Sequence, residues 1–129
     1  MLKTLNPPGL HPPFARYAHG IAVPAGARLV FCSGQLGIST TAEIPLTVEE
    51  QTALCFDAIG AILAEAGMRL ADVVRINAFV TGREHLQGYM AVRDRYFADH
   101  PPPASTLMIV SGFARMEFMV EIEAMAARV

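Results

Sequence analysis

The chain has 129 residues, 53% of them hydrophobic and 17% charged, with a formal net charge of −2. That length fits one domain, residues 1–129, with a core of its own, and the apolar fraction exceeds what a small monomer hides, which points to an obligate oligomer. The ten Lys and Arg are scattered from Lys3 to Arg128, so no basic stripe exists to neutralise a row of phosphates, and nucleic acid is not expected as a ligand.

The opening residues 1–8 contain no apolar signal-peptide region, and no apolar run approaches the ~18 residues that span a bilayer. A cytoplasmic protein with no membrane partner is therefore expected. Pro7, Pro8, Pro12 and Pro13 remove backbone donors, after which residues 15–23 read as a first strand and residues 24–26 as a turn. Residues 29–32 form a short apolar run of strand length, followed by a loop at 33–37 in which two glycines permit unusual backbone angles. Between residues 47 and 68 the spacing of Val48, Cys55, Ile59, Ile62 and Ala66 predicts a helix, with Thr47 and Glu50 as a capping box and Gly67 as the stop.

Residues 73–79 read as a strand with Val74, Ile76, Ala78 and Val80 on one face. Leu86, Tyr89, Met90 and Phe97 predict a second helix within 84–99, ended by Pro101, Pro102 and Pro103. Two further strands, 105–110 and 118–127, are joined through Ser111 and Gly112; the second alternates Val120, Ile122, Ala124 and Ala126 against Met119, Glu121, Glu123 and Met125. Cys32 and Cys55 show no metal-ligand spacing and read as buried free thiols. The four histidines, His11, His19, His85 and His100, are likewise isolated.

The order β-β-α-β-α-β-β is that of an α+β fold, a mixed sheet with two helices on one face. Its other face is left bare, and burial against identical copies in a closed ring would cover it.

Three segments in this order resemble the Rid (YjgF-type) family: Val30-Phe31-Cys32-Ser33-Gly34-Gln35, Pro103-Ala104-Ser105-Thr106 after a helix, and Val120-Glu121-Ile122-Glu123-Ala124 near the C-terminus. The resemblance covers nearly the whole chain. It implies a chorismate-mutase-like trimeric barrel, a homotrimer with small-molecule sites in the clefts between subunits. Typical members hydrolyse reactive enamines and imines to a 2-oxo acid and ammonia without metal or cofactor.

The same resemblance assigns candidate site residues. Glu121 corresponds to the glutamate proposed to position or activate the attacking water, although Glu121 and Glu123 also fit the polar phase of an alternating strand. Tyr17 corresponds to a tyrosine that reaches into the cleft, and Ser33 and Gly34 to a pair whose hydroxyl and backbone N–H bind a carboxylate or carbonyl oxygen. Ser105 stands where the family's carboxylate-gripping arginine is expected, and reads either as cleft-lining or as a solvated strand-start residue. Met90, counted back from His100, takes a position where many members carry asparagine; it fits either the cleft or the helix core. Arg16 and Tyr17 should face opposite ways on a strand, so Arg16 reads as a surface residue.

The first expectation is thus an imine or enamine hydrolase of altered specificity, with a ligand less charged than 2-iminopropanoate and weak or absent activity on that compound. The alternative is a non-catalytic metabolite-binding or regulatory trimer. Ribonuclease activity, also linked to the family, ranks third because the chain is slightly acidic and lacks paired catalytic histidines.

Overall fold

Thr47 starts the longest helix in a computed structural model that describes residues 1–129. Its hydroxyl accepts a hydrogen bond from the Glu50 backbone N–H at 3.2 Å and donates to the Glu50 carboxylate at 2.9 Å, so the paired residues close on each other at the first turn. Helix α1 (Val48–Glu65) buries Val48, Cys55, Phe56, Ile59 and Leu63 along one face. The chain leaves it through Gly67, whose φ of +70° is open to glycine at little cost. Helix α2 (Leu86–Tyr96) lies against α1, preceded by one turn of 3-10 helix at Arg83–His85, so the second helix starts later than its apolar spacing implies. No helix is long and apolar enough to cross a membrane.

Both helices cover one face of a four-stranded sheet in the order β3-β6-β4-β5, built from β3 (Arg28–Leu36), β4 (Val73–Val80), β5 (Ala104–Ile109) and β6 (Val120–Arg128). The β4–β5 pair is parallel and the other two are antiparallel, which makes the sheet mixed. Ile76, Ala78 and Val80 of β4 meet Val120, Ile122, Ala124 and Ala126 of β6 under the helices, all at most 4% exposed. Val74 departs from the expected face because the register with β6 shifts between Val73 and Arg75. The last two strands are consecutive in sequence but not neighbours: β4 lies between β5 and β6.

Three expectations for the first third of the chain need correction. The strand expected at 15–23 is reduced to β2 (Gly20–Ala22), paired antiparallel with a short β1 (Lys3–Leu5) that three residues of mixed polarity do not announce. The segment before β2 is drawn elsewhere: Arg16 donates to the Phe97 and His100 carbonyls at 2.7 and 2.8 Å, just beyond α2. Arg16 is thus a part-buried clasp on the end of a helix, not a free surface residue. The loop expected after Cys32 is instead a continuation of β3, with the irregularity confined to Ser33 and Gly34, where pairing with β6 slips between Cys32 and Gln35.

Candidate functional site

The candidate residues fall into two groups. Tyr17, Met90 and Ser105 meet at the β5 edge of the sheet. Ala18 bridges to Ala104, its N–H donating to the Pro103 carbonyl at 3.0 Å, and this holds the Tyr17 segment against the start of β5. The Tyr17 hydroxyl accepts from the Phe14 backbone N–H at 3.2 Å. Phe14, Ala15, Tyr17, Met90, Arg93, Ser105 and Leu107 enclose a cavity of about 240 Å³. Met90 serves both roles open to it, lining this cavity while packing against the core. The Ser105 hydroxyl is buried, with no hydrogen-bond partner.

Ser33, Gly34 and Glu121 meet near the opposite edge. A side-chain carbon added at Gly34 would lie 2.8 Å from the Glu121 carboxyl carbon, so the absence of one is what lets the carboxylate rest on the β3 irregularity. The two glutamates of β6 are held differently. Glu123 accepts from Asn77 Nδ2 at 3.1 Å, whereas the half-buried Glu121 carboxylate makes no side-chain hydrogen bond or ion pair. Glu121 does act on a neighbour: burial first, and then its charge, push the Cys55 thiol up to about 12.

Sheet register keeps the groups apart within one chain. Ser105 pairs with Ile76 and Ile76 with Ala124, both on the helix-covered face, whereas Glu121 pairs with Phe79 on the bare face. Glu121 on β6 is also two strands from Ser105 on β5, with β4 between them, roughly 10 Å at the usual strand spacing. Glu121 and Ser105 therefore cannot act on one small molecule from a single copy.

Arg93 is a buried cavity-lining residue that motif matching missed. It extends from α2 into the Ser105 cavity and is 3% exposed. The signal was its place in the apolar stripe: Arg93 follows Tyr89 by one helical turn and precedes Phe97 by another, where a solvated charge does not belong. No three His, Cys, Asp or Glu side chains converge as a metal site requires.

Two helices on one face of a mixed sheet, with a glutamate of the last strand set against a Ser-Gly irregularity, define a Rid-type α+β subunit. The chain belongs to that family: the family model described as Endoribonuclease L-PSP matches residues 9–128. It is similar to the 2-iminobutanoate/2-iminopropanoate deaminase of Escherichia coli K12, at 26% identity over 131 residues and 99% of each chain. Among solved structures, YyfB of the conserved Rid protein family from Yersinia pestis matches with a TM-score of 0.88 at 26% identity, over 98% of both chains. E. coli TdcF with bound serine matches with a TM-score of 0.74 at 28% identity, over 98% of this chain and 99% of that one.

Proposed function

We propose that the chain is a cofactor-free hydrolase of imines and enamines, working as a cytoplasmic homotrimer with its ligand in the clefts between neighbouring copies. The observation that carries this reading is the unengaged Glu121 carboxylate resting on Gly34, while Glu123 on the same strand is tied to Asn77. The trimer is supported by the separation of the two residue groups and by the bare sheet face, where Phe31, Leu29 and Met108 are 68%, 55% and 50% exposed. Closing a ring buries that face and brings the Glu121 group of one copy to the Ser105 group of the next.

In this scheme an enamine first takes a proton on carbon to become the imine. Glu121 accepts a proton from water as the oxygen adds to the imine carbon, giving a carbinolamine. Glu121 returns that proton to nitrogen, the hydroxyl then passes its own proton to the same nitrogen, and as the carbon–nitrogen bond breaks ammonia leaves a ketone. Ser33 and Gly34 hold the developing oxygen, while Tyr17, Met90 and Ser105 shape the far wall. Ser105 in place of the family's arginine alters specificity, so turnover of 2-iminopropanoate is weak or absent.

Ammonia release from 2-iminopropanoate and from larger imines generated in situ tests the reading. The larger imines should turn over, with Glu121→Gln slower by about 10² to 10⁴, the usual worth of a general base. Equal rates in wild type and Glu121→Gln contradict it. Ser105 also favours a second reading, a non-catalytic binding trimer, under which no imine turns over and Ser105→Arg restores nothing. The ribonuclease reading raised by the family's description finds little support in a chain of net charge −2 with scattered basic residues.

A further inference from the structure

Gln51 is fully buried on α1 and engages both ends of its amide. Its Nε2 donates to the Pro45 carbonyl at 3.0 Å and to the Glu117 carbonyl at 2.8 Å, while its Oε1 accepts from the Met119 backbone N–H at 2.9 Å. A side-chain amide is what offers N–H donors and a carbonyl acceptor at one tip. Met119 is held from its other side as well, its carbonyl accepting from the Thr81 N–H at 3.1 Å. These bonds bear on Glu121 through both strands beside it. On the β6 side, Gln51 fixes Glu117 and Met119, which lead into the strand two residues before Glu121. On the β3 side, Leu36 pairs with Glu121, and Gly37 after it lies so close to Gln51 Cβ that no side-chain carbon fits between them. One turn along α1, Cys55 Sγ donates to the Gln35 carbonyl at 3.2 Å, at the edge of the slip that contains Gly34.

We infer that Gln51 is a positioning residue for Glu121: it holds the β3 and β6 backbones in the relation that rests the Glu121 carboxylate on Gly34. Being wholly buried, it meets neither ligand nor attacking water and acts only through the backbone. The proposal rests on the hydrolase reading above and adds to it the device that sets the base. Misplacing a reacting group by about 1 Å costs up to about 10²-fold in rate, so three hydrogen bonds that fix this backbone govern turnover. Ligand binding depends on them far less, because Tyr17, Met90 and Ser105 shape the far wall from the β5 edge.

The test replaces the amide and reads kcat apart from KM on a larger imine, corrected for spontaneous hydrolysis. Gln51→Met keeps length and burial but none of the three bonds, so kcat should fall by about 10 to 10² with KM within about twofold of wild type. Gln51→Glu is the conservative variant and carries a pH signature. Its carboxyl, buried against two carbonyls, is raised above the ordinary carboxylate value; protonated it donates one bond and still accepts from Met119, whereas ionised it donates none. Its kcat relative to wild type should therefore be highest at low pH and decline between about pH 5 and 10, with circular dichroism showing a folded chain throughout. Wild-type kcat in folded Gln51→Met, a Gln51→Glu ratio that is flat with pH, or rates that only follow the folded fraction overturn the inference. Should Gln51→Met fail to fold, the pH profile of Gln51→Glu decides. Should wild type hydrolyse no imine, the hydrolase reading fails, and the carbon-13 signal of the Glu121 carboxyl, assigned with Glu121→Gln, tests the positioning by itself. In Gln51→Glu, ionisation of the new carboxyl should move that signal towards the value of an unstructured glutamate; a signal that tracks wild type at every pH overturns the inference.

Discussion

Cys55 is fully buried on α1, its Sγ donating to the Gln35 carbonyl at 3.2 Å. Burial, with the nearby Glu121 charge, raises its thiol from 9.0 to about 12. A group whose folded value is raised stabilises the fold fully below its unfolded value and loses that contribution as pH climbs through the folded one. The urea midpoint of wild type should therefore fall more steeply between about pH 9 and 12 than that of Cys55→Ala. Identical slopes would show that the thiol does not sense its burial. Cys55 reads as a buried thiol from the sequence alone, because an apolar stripe at helical spacing includes it. Arg93 does not read so easily, since a charge in a helix is ordinarily placed on the wet face. Its burial depends on the Tyr17 segment and β5 closing over it, contacts that no local pattern encodes.

At the scale of elements, whatever depends on periodicity and capping was legible: α1 with its Thr47 cap, the buried phase of β6, and the proline stop after α2. Pairing was not. The irregularity at Ser33 and Gly34 looks like a loop because glycine there signals freedom, yet the β6 partner holds the strand straight on to Leu36. Gly37 follows directly, and its role is contact. A side-chain carbon there would lie 2.4 Å from Gln51 Cβ and 2.6 Å from its backbone Cα, in a helix that cannot retreat. Gln51 is itself fixed, donating to the Pro45 and Glu117 carbonyls at 3.0 and 2.8 Å and accepting from the Met119 N–H at 2.9 Å. Gly37→Ala should cost about 1 to 3 kcal/mol of unfolding free energy in urea, the usual range for overpacking. A midpoint unchanged from wild type would mean β3 is not pressed on α1 there.

Across the whole molecule, the division of the candidate residues between two faces and two edges is invisible in sequence. It arises because β6 inserts between β3 and β4, an order that strand patterns do not specify. The bare face carrying Phe31 was foreseeable from the apolar surplus. On the trimer proposal, Phe31→Asp should lower the mass measured by light scattering from three times the 13.9 kDa chain towards a single chain. A mass unaffected by the substitution would place the interface elsewhere. The central claim is that one working site is completed by two copies. It is tested most directly by unfolding and refolding together two variants, each defective in one group: Glu121→Gln and Tyr17→Ala. Each alone should release ammonia from a larger imine far more slowly than wild type. In an equal mixture, half the clefts draw an intact Glu121 group and half of those meet an intact Tyr17 group, so about a quarter of wild-type activity should return. No recovery in trimers verified as mixed would contradict a site shared between copies.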